Sequence, residues 1–134
     1  MPTNKNDIQK ITKLGNKKAK AERTLEVFPN HAPGKITITL NCKEFTSLYP
    51  VTHQPDYAQI DINYVPDKFL VESKSVKLYL ETYRNEGVFY EHLAVDIAED
   101  FIKYVKPLSV TVSVHFNVRG GIAISADYHW EKEK

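Results

Sequence analysis

The chain has 134 residues, enough for one domain with a core of moderate size; 42% are hydrophobic and 26% charged, and the net charge is +1. No apolar run approaches the roughly 20 residues of a membrane span, and the basic N-terminus leads into no apolar stretch of secretory type. The lone Cys42 excludes an internal disulfide, so the expectation is a cytoplasmic protein without membrane contact.

Charge is unevenly placed. Residues 1–24 carry seven Lys and Arg against two acidic residues, a net of +5, which leaves −4 on the remainder. No aromatic residue interrupts this arm to stack on bases. It reads as a solvated, flexible tail rather than a nucleic-acid contact, followed by a single domain over 25–130 and a charged tail at 131–134.

After a turn-rich stretch, Phe28 to Gly34, strict alternation sets in. Ile36, Ile38 and Leu40 against Lys35, Thr37, Thr39 and Asn41 predict a strand. Ala58, Ile60, Ile62 and Tyr64 predict a second, with Tyr49-Pro50 and Gln54-Pro55-Asp56-Tyr57 in the loop between. Val76, Tyr79, Leu80 and Tyr83 fall on one face of a helix, and Asn85 and Gly87 interrupt the pattern. Leu93, Ala94, Ile97, Phe101, Tyr104 and Val105 define a second helix that stops near Pro107. Val110 to Val118 and Ile122 to Trp130 alternate again, joined at Arg119-Gly120-Gly121, a hairpin signal. The order ββααββ gives an α+β domain whose helices cover one apolar face of a four-stranded antiparallel sheet. The open edges of such a sheet invite closure into an oligomeric barrel. His31, His53, His92, His115 and His129 show no metal-ligand spacing, and no metal site is expected.

Glu72-Ser73-Lys74-Ser75-Val76-Lys77-Leu78-Tyr79 is similar to the signature of the QueF nitrile reductases. Phe45-Thr46-Ser47-Leu48, Gln54 to Ala58, Tyr64 to Asp67, Tyr83-Arg84-Asn85 and Arg119-Gly120-Gly121 match that family in the same order. The resemblance implies the tunnelling fold, with active sites between subunits of a homo-oligomer, for short members a decamer of two pentamers. It implies NADPH-dependent reduction of 7-cyano-7-deazaguanine to the amine, a step toward queuosine, through a cysteine that forms a covalent thioimide.

Carried over by position, Asp56 resembles the proton-donating aspartate and Glu91 the glutamate that grips the guanine-like edge. A carboxylate suits that edge because its two oxygens accept parallel N–H donors. Lys74, Lys77 and Arg119 resemble the cations that contact NADPH, and Glu72 and Ser73 the wall of the substrate pocket. Two positions depart from the pattern: Tyr49 stands where the family has its cysteine, and Tyr90 where it has a histidine. A phenol is far less ionised at neutral pH than a thiol, and an aryl imidate differs from a thioimide. The expectation is therefore an enzyme that binds a purine-like or 7-deazaguanine heterocycle and uses non-covalent acid/base chemistry from Asp56, Tyr49 and Tyr90. Nitrile reduction with NADPH and a non-catalytic heterocycle-binding role stand as alternatives.

Overall fold

A computed structural model describes residues 3–15 and 21–134. Its elements are α1 (Lys5–Ile8), β1 (Val27–Pro29), β2 (Ile38–Leu48), β3 (Pro55–Val65), β4 (Phe69–Val71), α2 (Ser73–Glu81), α3 (Tyr90–Val105), β5 (Ser109–Phe116) and β6 (Ser125–Glu131). The chain is an α+β domain with an antiparallel four-stranded sheet, β2-β3-β5-β6, and a separate antiparallel pair, β1-β4.

Period two in the sequence becomes two-faced strands. Ala58, Ile60, Ile62 and Tyr64 of β3 and Val110, Val112, Val114 and Phe116 of β5 all lie on the buried face. Over them packs α3 with Leu93, Ala94, Ile97, Ala98, Phe101 and Val105. Burial of this apolar surface is the main stabilising term of the domain. Lys106 ends α3 in a left-handed conformation (φ 53°), because the following Pro107 disfavours a further helical residue. The Tyr64 hydroxyl accepts from the Val71 amide at 3.0 Å and fastens β4 to the core.

Three features differ from the sequence expectation. First, β1 and β4 pair through three residues each, too few to leave a periodic signal. Second, the last hairpin is paired over a shorter length. β5 ends at Phe116 and β6 begins at Ser125, so Val118 and Ile122 are exposed in the connection. Arg119 and Ile122 still bridge across Gly120 and Gly121, both at positive φ, as a tight hairpin turn requires. Third, part of the arm has structure: Asn4 caps α1 with a reciprocal bond to Asp7, and Glu26 binds the Thr12 amide and hydroxyl and pairs with Lys13. Lys17, Lys18 and Lys20 lie outside the described residues.

The feature that matters most for the site is a β-bulge in β2. Cys42 pairs with Ile60 and Phe45 with Ala58, so Lys43 and Glu44 together oppose one residue, Gln59. One extra residue inverts the alternation downstream. Phe45 and Ser47 consequently face the core on the same side as Ile38, Leu40 and Cys42, and Ser47 comes opposite Asp56.

Candidate active site

Three segments converge beyond the end of β2. The loop after β2 is closed by the Tyr49 amide on the Gln54 carbonyl and the His53 amide on the Tyr49 carbonyl, both 2.9 Å. The stretch before α3 runs alongside it: the Leu48 amide donates to Glu86 and the Val88 amide donates to Leu48, at 2.9 and 3.1 Å. The 117–122 turn is tied down by the Asn117 amide on the Tyr57 carbonyl at 3.0 Å.

At the convergence lies Asp56, only 1% exposed. Its Oδ1 accepts from Arg119 Nε at 2.7 Å and from the Tyr90 hydroxyl at 3.1 Å. Arg119 also donates to the Pro55 carbonyl. Burial, and then the bond to Asp56, push the Tyr90 phenol above its ordinary range, so it stays a donor. The Tyr90 ring packs on Phe116 at 4.0 Å between centroids, and Tyr49 meets Tyr90 and Phe89 edge-on at 6.1 and 6.0 Å. A cavity of about 340 Å³ opens beside this clasp, lined by Tyr49, Gln54, Tyr90, Asn117, Arg119 and Ile124 among others.

Of the residues singled out in the sequence, Tyr49, Asp56, Tyr90 and Arg119 are thus brought together. The others do not line this cavity. Glu91 is exposed in the first turn of α3. Glu72 is buried as the N-cap of α2, its two oxygens accepting from the Lys74 and Ser75 amides at 2.8 and 2.9 Å. Lys74 follows it, half-buried. Ser73 and Lys77 line a second cavity of about 610 Å³ between β2 and α2, with Leu40, Cys42, Lys43, Val76, Leu80 and Arg84. Burial and then Asp61 push the Cys42 thiol up to about 11, so at neutral pH it is no thiolate.

Sequence reasoning did not single out Ser47. It is 1% exposed, and its hydroxyl and the Asp56 Oδ2 are both buried without a hydrogen-bond partner. The signal was present in Thr46-Ser47-Leu48, but only the bulge shows which of these faces inward. Among the described residues no group of three or more His, Cys, Asp or Glu is arranged to hold a metal, and no helix is long and apolar enough to cross a membrane.

An antiparallel α+β domain with a buried, arginine-paired carboxylate beside a small cavity is the frame onto which three comparisons fall. Residues 55–134 match the family described as QueF-like protein. The chain is 49% identical over 123 residues to the NADPH-dependent 7-cyano-7-deazaguanine reductase of Frankia casuarinae, covering 92% of this chain and 98% of that protein. It is 44% identical to the protein of the same name from Syntrophus aciditrophicus, covering 94% of this chain and 90% of that one. The apo crystal structure of an archaeosine synthase QueF-Like protein superposes with a TM-score of 0.64 at 21% identity, over 73% of this chain and 94% of that chain, a likeness of fold. This chain belongs to the QueF family.

Proposed function

We propose that this chain is a QueF-type reductase that takes 7-cyano-7-deazaguanine or a close 7-deazaguanine relative at the Asp56 clasp. The observation that carries this reading is the convergence of Asp56, Arg119 and Tyr90 on one buried carboxylate oxygen beside a cavity of about 340 Å³. Small-molecule pockets begin at about 300 Å³, so a bicyclic heterocycle fits. The relatives' names supply the substrate and the reductant.

Residues for NADPH fit as a set. Lys43, Lys77 and Arg84 line the larger cavity and outnumber Glu44 and Glu81, so cations are at hand for phosphates, and Leu40, Val76 and Leu80 offer apolar surface for rings. When bound, NADPH supplies hydride, two equivalents being needed from nitrile to amine. Asp56 holds the position from which a proton passes to or from the substrate nitrogen, and Arg119 and Tyr90 fix its orientation. The two cavities share no lining residue within one chain. The ring assembly that the tunnelling fold implies would join copies through the open edges of β2 and β6, with the site between subunits.

Tyr49 favours a second reading. It lines the cavity where the family pattern has a cysteine, so no thioimide forms from that position. In this reading the heterocycle is bound and undergoes non-covalent acid/base chemistry from Asp56 and Tyr49. Incubation with 7-cyano-7-deazaguanine and NADPH, following nicotinamide absorbance and product mass, separates the two. Two equivalents of NADPH oxidised per amine formed establish the reductase. Tight binding without oxidation supports the second reading or a purely binding role, and no binding of the heterocycle refutes both.

A further inference from the structure

The Asp56 clasp uses only one of the two carboxylate oxygens. Oδ1 receives both Arg119 and Tyr90, while Oδ2 is buried without a partner. Directly across the ladder, Ser47 presents a hydroxyl that is equally buried and equally without a partner. A buried polar atom left unsatisfied is costly, and the great majority of such atoms in folded proteins are paired. Two of them on directly opposed residues, one of which is clasped by two residues that line a cavity, call for a common explanation.

A structural pair would have closed on itself, because a serine hydroxyl opposite a carboxylate is a ready donor. Here the two groups do not bond. The β-bulge at Lys43 and Glu44 is what turns Ser47 inward at all, so its burial follows from a specific irregularity of the strand. Tyr90 and Arg119 each touch Asp56 and each line the cavity, which makes them the connection between the orphaned atoms and open space.

We propose that Ser47 is a second polar contact of this site. Its hydroxyl donates to the lone pair of the nitrogen on the 7-position substituent, and Asp56 Oδ2 accepts from that nitrogen once reduction has given it hydrogens, so the pair reads the substituent rather than the ring. This rests on the functional reading above and adds to it the group that discriminates a substituted ring from a bare one.

The test is calorimetric binding of 7-cyano-7-deazaguanine and of unsubstituted 7-deazaguanine to wild type and Ser47→Ala, with thermal melting of both apoproteins. The expected result is a loss of about tenfold in affinity for the cyano compound, with unchanged affinity for the unsubstituted ring. The apo melting temperature stays level or rises, since the substitution removes an unsatisfied hydroxyl. Equal affinities for both compounds in the two proteins, or an equal loss for both, overturn the proposal. So does a variant that melts several degrees lower or fails to fold, because the hydroxyl then serves the apo fold. Wild type that binds neither compound refutes the functional reading itself, and the role of Ser47 falls with it.

Discussion

Gly87 and Pro50 approach so closely that a Cβ built on Gly87 would lie 2.9 Å from the Pro50 Cα. The glycine is required by close approach of two backbones. Leu48 bridges to Gly87 in parallel, which brings the start of α3 against the end of β2 and so sets Tyr90 beside Tyr49.

Gly87→Ala should therefore act on the site as well as on stability. Backbone cannot yield as a flexible side chain does, so the two segments must separate by a few tenths of an ångström or more. The expected cost is about 1–3 kcal/mol by denaturant unfolding. Binding of the 7-deazaguanine ligand should weaken at the same time, because the Tyr90 hydroxyl moves off Asp56. A variant as stable as wild type with unaltered binding would show that the junction does not position Tyr90.

Alkaline pH should unfold this protein through its tyrosines. Burial pushes up the phenols of Tyr64, Tyr79, Tyr83 and Tyr90, and Tyr79 also gives a 2.5 Å hydrogen bond to Asp100. In the unfolded chain these groups ionise near pH 10. A folded pKa above the unfolded one means that the native state holds more protons between the two values, so stability falls as pH rises through that window. The stabilisation is fully present below about pH 10. Spectrophotometric titration should show a set of phenols that ionise only as circular dichroism is lost, and Tyr79→Phe should reduce the slope of stability against pH in that range. Reversible ionisation of every tyrosine in a folded protein would contradict the assignment.

Arg23 should prove a point where the N-terminal segment grips the helical layer. Its guanidinium lies 3.8 Å above the Tyr83 ring, bonds the Thr82 hydroxyl at 2.6 Å and pairs with Glu86 at 2.7 Å. The ion pair is partly exposed and screened, so the stack and the planar fork carry most of the effect. Arg23→Ala should cost about 1–2 kcal/mol, and Arg23→Lys should recover little, because an ammonium can neither stack nor bridge two acceptors in one plane. Full recovery by lysine in chemical denaturation would leave only charge as the cause.

The bulge explains where legibility in the sequence stopped. Alternation at Ile60, Ile62 and Tyr64, and at Val110, Val112 and Val114, was readable because both strands keep one register throughout and one face is wholly apolar. β2 was readable only to Asn41, since beyond Cys42 the period slips by one and Phe45 and Ser47 look out of phase. Arg119 and Asp56 stand 63 positions apart in sequence, and no local pattern joins them; only the family motif placed both in a site. Nor could Glu72 be seen as a helix cap, because its motif drew attention to the ligand and not to the amides of Lys74 and Ser75. Deleting Glu44 should remove the bulge and leave Lys43 alone opposite Gln59, with Phe45 and Ser47 still facing the core, so the shortened chain should still fold in circular dichroism. Loss of the folded signal in that variant would mean that the bulge is needed for more than the register of Phe45 and Ser47.

Tyr49 and Tyr90 are the two positions at which this chain departs from the family pattern, and their rings meet edge-on with centroids 6.1 Å apart. Their rings share one space, so each constrains what the other can be. Tyr49→Cys alone puts a thiol at the family position but leaves the Tyr90 hydroxyl on Asp56, with the aspartate still engaged. Tyr90→His alone takes the phenol off that oxygen, leaving it to Arg119, and supplies no nucleophile. The double substitution provides both, while Asp56 and Arg119 stay in place. It should form a covalent thioimide with 7-cyano-7-deazaguanine, read by intact-protein mass, and turn over NADPH faster than either single variant. Non-additivity of the two substitutions in the rate is the signature expected of residues acting as a unit. Absence of the adduct in a folded double variant that still binds the nitrile would mean that the thiol at 49 does not face the nitrile carbon, and that the pocket has diverged from the family beyond these two residues.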